Sequence, residues 1–236
     1  MSCFFIMIPS GPRQVKAVKY IILDNRCANR IILYSEGLQT DYVSEDEMGH
    51  FFAYISRMKF INRWALMRNT SQESLSVHSY EVAVIANALC IIGNRRLGKN
   101  LDAEYAAVAA LYHDASEIIT GDMPTPVKYF NSKIRSAYGD LESDACKRLV
   151  SYLPDDMKDY YEKAMSPEGD IRLIVKAADK ISACVKCAEE LKMGNQEFRN
   201  ALESNLRAVR KLGCREAEIF LDEFFDSYSL PLDELK

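Results

Sequence analysis

From Met48 to the C-terminus, apolar residues recur at three- and four-residue spacings almost without interruption, the period of helices that bury one face. Segments start near Gly49, Ser76, Asp102, Asn131, Pro154, Ser166 and Asn195. Several of these starts carry their own signals. In the stretch SPEGD, Ser166 suits an N-cap and Pro167 the first helical position. The stretch LDAE opens another helix with acidic residues in its first turn, where they face the positive end of the helix dipole. Gly121 and Gly194 punctuate helix ends. After residue 48 there is no clear strand alternation, internal repeat or low-complexity segment. Residues 1–47 have a different pattern. "VKAVKYIIL" and "NRIILYSEG" suit two short strands, or sequence with no folded role. The expected organisation is an all-α domain over 48–236, preceded by a short N-terminal extension over 1–47.

Composition narrows the function classes. With 236 residues and 48% apolar content, the chain can bury a sizeable core. A net charge of −4 and the lack of a long basic run argue against nucleic acid or an anionic membrane as the main partner. No apolar run of membrane-spanning length stands out. The stretch CFFIMIP is too short for a signal-peptide core and lacks a preceding basic segment, so a cytoplasmic protein is expected. Seven cysteines, an odd number without framework spacing, suggest reduced thiols. Cys184 and Cys187 form a lone CxxC inside a helical pattern, with no second pair for zinc and no preceding strand for redox chemistry. They are expected to pack along a helix.

The chemistry gathers in LYHDASEIITGDMPTP, where His113, Asp114, Glu117 and Asp122 fall within ten residues of a chain that has three histidines. As one continuous helix, this segment places Ala106, Ala109, Ala110, His113 and Glu117 on a single face. Asp114 is offset by about 100° and is still able to converge on the same ion. His78 lies in the first turn of a helix whose Val82, Ile85, Ala86 and Leu89 form a buried stripe. Asp179 sits in a helix that is apolar on most sides, where a carboxylate is costly unless paired or bound to metal. Taken singly, each has a plain structural explanation: a satisfied core histidine, a local hydrogen-bonder, a solvated acid, or an aspartate paired with Lys176 or Lys180. Together they form one pattern, a His, then an adjacent His-Asp pair, then a distant Asp, each on its own helix. Two imidazoles and two carboxylates suit a borderline first-row divalent ion.

The pattern His78, His113-Asp114, Asp179 resembles the signature of the HD-domain metal-dependent phosphohydrolases. The stretches RMKFINRWALMRN and YHDASEIITGDMPTPVKYFN narrow the resemblance to bacterial 5′-deoxynucleotidases of the YfbR type, and it runs from about His50 to the C-terminal SLPLDELK. It does not reach residues 1–47, and Met48 would make a plausible start, so the extension is expected to be an upstream translation product or dispensable. One departure stands beside the first histidine: Val77 occupies a position that is usually acidic in these proteins.

The resemblance implies an HD-domain helical bundle and a metal held by His78, His113, Asp114 and Asp179, three of which (His78, Asp114 and Asp179) would also border the substrate. Co²⁺ or Mn²⁺ is favoured, with Zn²⁺, Ni²⁺, Fe²⁺ and Cu²⁺ also compatible. Arg63 would bind phosphate through its planar donor fork. Glu117 would orient or deprotonate the attacking water, and Asp122 would protonate the leaving 5′-oxygen or position a water. Trp64 would pack near C2′ of the sugar, and Met123, Pro124 and Thr125 would line the nucleotide pocket; Lys128 is either a further contact or a solvated lysine. The implied substrate is a deoxyribonucleoside 5′-monophosphate and the implied assembly a homodimer. Leu202, Leu206, Val209 and Leu212, at helical spacing, suit either an interface or the core. The competing readings are an HD phosphohydrolase acting on a triphosphate or signalling nucleotide, a non-catalytic nucleotide-binding protein, and a redox protein using Cys184 and Cys187.

Overall fold

The computed structural model describes residues 18–23, 31–35 and 49–235. The chain divides into two compact units, residues 1–49 and 50–236. In the first, strands β1 (Val18–Leu23) and β2 (Ile31–Ser35) pair antiparallel, with Tyr20 opposite Tyr34 and Ile22 opposite Ile32. Both strands fall in the two segments whose apolar runs suggested them. The rest of the extension, including Met48, lies outside the described residues.

The second unit is helical. Its elements are α1 (Phe51–Ile55), α2 (Leu75–Arg96), α3 (Ala103–Tyr112), α4 (Glu117–Thr120), α5 (Thr125–Lys128), α6 (Ser132–Val150), α7 (Asp155–Met165), α8 (Gly169–Lys192), α9 (Arg199–Lys211) and α10 (Arg215–Phe224). Three starts are capped by side chains that take an otherwise orphaned amide. Ser74 accepts from Val77, Asp102 from Tyr105 at 2.9 Å and Asn131 from Ile134 at 2.8 Å.

Several boundaries differ from the sequence reading. α2 starts at Leu75, one residue before the expected Ser76, with Ser74 as its cap. α8 starts at Gly169, while Ser166 closes α7. The pattern after Asn195 is not one helix. A 3₁₀ turn at Gln196–Phe198 leads into α9, and Gly213, at φ +65°, breaks the chain before α10. The segment carrying His113 and Glu117 is also broken. α3 stops at Tyr112, and bonds to the third preceding carbonyl, from Ala115 to Tyr112 and from Glu117 to Asp114, tighten residues 113–116 into a turn before α4. Periodicity does not register so short a change of pitch, so His113 and Glu117 do not share one continuous helical face.

α2 and α8 form the centre of the core. Val82, Ile85, Ala86 and Leu89 of α2 meet Ile174, Ala178, Ile181 and Cys184 of α8, with Val209 and Phe220 closing one side. Ala106, Ala109 and Ala110 of α3 are fully buried, and their small size lets α3 lie close to α2. α2 is apolar on its buried side and also carries the exposed Tyr80, Val84 and Ile91. Its most apolar 18-residue window has a mean hydropathy of 1.6, enough for a membrane span by length and composition and contrary to the sequence reading; 56% of that window is buried within the fold. The α9 stripe is core rather than a free interface: Val209 is fully buried, and Leu202, Leu206 and Leu212 pack against the same cluster. Cys184 and Cys187 are free and buried, and burial pushes both thiols up to about 12, which removes the thiolate that redox exchange needs. A second cluster, Phe51, Ala115, Leu149, Val150, Leu153 and Met165, anchors the turn after α3 through Ala115.

Candidate active site

The site begins with a short antiparallel pairing that precedes α2. Arg63 N–H donates to the Glu73 carbonyl at 3.0 Å, Leu75 N–H donates to the Ile61 carbonyl at 2.8 Å, and Asn62 bridges Ser74. This closes a loop over residues 64–72 and leaves Arg63 and Trp64 at its base. Trp64 has φ +61°, a left-handed conformation that costs a side-chain-bearing residue roughly 1–2 kcal/mol. The surroundings hold it there. Its carbonyl accepts from Met67 N–H at 2.9 Å and from Asn69 Nδ2 at 3.3 Å, its indole Nε1 donates to Glu73 Oε2 at 2.6 Å, and its ring lies 5.3 Å from that of Phe198. The loop tip is fastened to α8. The buried Glu190 carboxylate accepts from Thr70 N–H at 2.9 Å, Thr70 Oγ1 at 2.8 Å and Asn195 Nδ2 at 2.8 Å, and Lys186 pairs with it.

Behind that loop, two imidazoles present the same nitrogen to one place. His113 Nδ1 lies 2.7 Å from the Ala110 carbonyl, which can only accept, so Nδ1 carries the proton and Nε2 keeps its lone pair. His78 Nδ1 lies 3.2 Å from Ser182 Oγ, whose own proton goes to Glu81 at 3.1 Å. Ser182 therefore accepts, and His78 Nε2 is also left with a lone pair. Neither Nε2 has a hydrogen-bond partner although both are buried. Between them lies Asp114 Oδ2, 3.6 Å from His78 Nε2 and 3.1 Å from His113 Nε2, and Asp179 Oδ1 is 3.3 Å from His78 Nε2. Ligand atoms of His78, His113 and Asp114 all fall within 4.8 Å of one another, and Asp179 joins them through its contact with His78. Two orphaned imidazole nitrogens facing carboxylate oxygens form a donor set that fits a divalent transition ion.

Arg63 lies against the same carboxylates, with Nη1 3.1 Å from Asp114 and Nη2 3.9 Å from Asp179. Asp179 also pairs with Lys180 at 3.0 Å, the partner anticipated by the simpler reading of that residue. Glu117 is buried, and its Oε2 has no partner. Asp122, Met123 and Pro124 are half-buried on the loop after Gly121, and Thr125 is exposed at the start of α5. Lys128 Nζ is drawn to Glu142 at 2.8 Å, which ties α5 to α6.

The electrostatics follow from crowding. Burial opposes ionisation at Asp114 and Asp179, yet neighbours override it: His113 holds Asp114 far below the ordinary carboxylate range, and His78 and Lys180 do the same for Asp179. Burial also opposes charge on His113, and Asp114 outweighs it to raise the imidazole. A proton and a metal ion would therefore compete for Nε2. Glu117 goes the other way. Burial pushes its carboxyl up to about 9, and Asp114 and Asp122 add to the shift. Burial likewise raises Asp122, against the opposing charge of Arg63.

Three contributors escaped the sequence reading. Glu81 and Ser182 each lie three residues after a candidate metal ligand, His78 or Asp179, on the same helix, a spacing that points them at its neighbour. Glu73 precedes α2, outside any periodic pattern, and lies 3.1 Å from His78 Nδ1. Val77, which precedes the first histidine, is 49% exposed, and the carboxylate beside the His78 imidazole is that of Glu73.

A helical domain whose histidines and aspartates converge in this way is an HD phosphohydrolase domain. Solved structures of that class superpose on it: an HD-domain phosphohydrolase from Listeria innocua at TM-score 0.68 and 22% identity, covering 76% of this chain and 88% of that one, and the HD phosphohydrolase DatZ of cyanophage S-2L, bound to dA and one catalytic Zn²⁺ ion, at TM-score 0.56 and 16% identity, covering 74% and 96%. At this identity they establish the fold. The model of the YfbR-like 5′-deoxynucleotidase family matches residues 50–228, and 5′-deoxynucleotidase YfbR of Escherichia coli is 46% identical over 197 residues, 80% of this chain and 96% of the relative. The chain belongs to the YfbR-like 5′-deoxynucleotidase family.

Proposed function

We propose that the protein is a metal-dependent 5′-deoxynucleotidase, converting a deoxyribonucleoside 5′-monophosphate and water to deoxynucleoside and phosphate. The observation that carries the reading is the pair of orphaned Nε2 atoms on His78 and His113, facing Asp114 and Asp179 with Arg63 alongside. His78, His113, Asp114 and Asp179 would hold the ion, for which Co²⁺ or Mn²⁺ is best suited. When bound, such an ion lowers the pKa of the attacking water and offsets phosphate charge.

The chain's own groups do the rest. Arg63 offers two guanidinium nitrogens to the phosphate oxygens, and its contacts with Asp114 and Asp179 keep the fork beside the metal ligands. Glu117, buried three residues after Asp114 at the start of α4, takes a proton from the attacking water. Its high proton affinity in the metal-free protein is opposed once a cation sits beside Asp114. Asp122, raised by burial, hands a proton to the leaving 5′-oxygen. Trp64 faces the sugar, and Met123, Pro124 and Thr125 border the nucleotide. A homodimer belongs to the same reading, on the strength of family membership.

The test is hydrolysis of a panel of dAMP, AMP, dATP and a cyclic dinucleotide, with the nucleoside and nucleotide products resolved by chromatography and inorganic phosphate measured alongside, using protein stripped with EDTA and then supplied with Co²⁺ or Mn²⁺. Phosphate release from dAMP only after metal is restored is the expected result. Activity confined to a triphosphate or a cyclic dinucleotide would replace the substrate assignment.

A further inference from the structure

Glu73 touches three groups that the reaction needs separately. Its Oε1 is 3.1 Å from His78 Nδ1 and 3.6 Å from Arg63 Nε, and its Oε2 accepts from Trp64 Nε1 at 2.6 Å. Its carbonyl accepts the Arg63 amide at 3.0 Å. The residue is 6% exposed, so water does little to screen its charge. Oε1 also has no aligned donor: Ser182 takes the His78 Nδ1 bond, while Glu73 lies off that line. A buried carboxylate oxygen held against an imidazole, with no aligned hydrogen bond of its own, is poised to respond to a change in that imidazole.

We propose that Glu73 is a positioning residue that links metal binding at His78 to the placement of Arg63 and Trp64, so that the ion and the nucleotide-facing loop are set together. This rests on the metal-site reading above. A cation at Nε2 makes the Nδ1–H more acidic, and that proton then draws Glu73 Oε1 into line. The same carboxylate holds the indole N–H through Oε2, so the movement reaches Trp64 directly and Arg63 through its Nε contact. Glu73 also favours the tautomer that ligates. An acceptor-only group at Nδ1 keeps the proton there and raises the basicity of Nε2. A glutamine at this position would bring an N–H₂ that can donate to Nδ1 and move the proton to Nε2, the atom the ion requires.

The only tryptophan in the chain is Trp64, so intrinsic fluorescence reports this loop alone. Zn²⁺ is the probe, because it is diamagnetic and does not quench the indole as Co²⁺ would. Metal-stripped full-length protein is titrated with Zn²⁺ in competition with a chromophoric chelator while Trp64 emission is followed. In the wild type, Zn²⁺ binding should change the emission. Glu73→Gln should bind Zn²⁺ about ten- to a hundredfold more weakly, the range typical of groups that orient a metal-ligating histidine, and should lose the emission change at saturating Zn²⁺ while keeping its helical circular dichroism. Glu73→Asp, which keeps the charge on a shorter arm, should recover part of the Zn²⁺ affinity. Wild-type affinity in a folded Glu73→Gln would overturn the proposal. So would stoichiometric Zn²⁺ binding by the wild type with no change in emission, a result that needs no variant to fold. Failure of the wild type to bind Zn²⁺ at all would overturn the metal-site reading, and this inference with it.

Discussion

Trp64 gives the most specific prediction about substrate choice. Its indole N–H is committed to Glu73 at 2.6 Å, and its ring is backed by Phe198, so the side chain offers a sugar an apolar surface and no free donor. The left-handed backbone at Trp64 and the Glu190 anchorage of the loop keep that surface in place. A deoxyribose C2′ packed there loses nothing. A ribose would bring a hydroxyl that gives up water without gaining a partner, at about 1–3 kcal/mol, or roughly a ten- to hundredfold loss in kcat/KM. Trp64→Phe keeps an apolar wall and should retain most of the preference for dAMP over AMP. Trp64→Ala opens the wall to water and should narrow the preference to within about tenfold, while the overall rate falls because the neighbouring Arg63 is less well placed. The assay is the ratio of kcat/KM for dAMP and AMP in all three proteins. Equal hydrolysis by the wild type, or full preference in Trp64→Ala, would refute the reasoning.

Other expectations follow from Glu117 and the extension. Glu117 has a raised pKa, so between pH 4.5 and about 9 the folded metal-free protein holds a proton that the unfolded chain has released, and stability falls as pH rises through that window. Glu117→Gln should remove this cost: its unfolding free energy relative to the wild type should be unchanged near pH 4 and increasingly higher toward pH 9, by about 3 kcal/mol at pH 7; identical pH profiles would show that Glu117 ionises freely. With metal restored, Glu117→Ala should slow turnover by about 10²- to 10⁴-fold with little change in KM and no loss of bound ion by elemental analysis; loss of the ion would make Glu117 a ligand instead. Deleting residues 1–47 should leave phosphate release and melting nearly unchanged, and an insoluble or inactive product would show that the extension supports the domain.

Much of the helical unit was legible because burial repeats at the helical period. The stripe Val82, Ile85, Ala86 and Leu89, and the small face Ala106, Ala109 and Ala110, are buried as their spacing implied. The convergence of His78, His113, Asp114 and Asp179 was legible only as a joint pattern, since each alone had a simpler explanation. What remained hidden had no periodic signal. The break between Tyr112 and Glu117 is a tightening of a few hydrogen bonds within a polar turn. Glu73 lies in a loop, and its contacts depend on a two-residue pairing that composition does not reveal. The positive φ of Trp64 is imposed by its neighbours, against its own preference.

The central claim, a phosphomonoesterase whose ion is held by these four residues, is tested most directly by measuring bound metal and phosphate release in the same preparations of wild type and His113→Ala. The account predicts one transition-metal ion per wild-type chain, dAMP hydrolysis that vanishes on stripping and returns in proportion to the metal restored, and neither ion nor activity in a His113→Ala protein that keeps its helical content. Undiminished dAMP hydrolysis by folded, metal-free His113→Ala would contradict it.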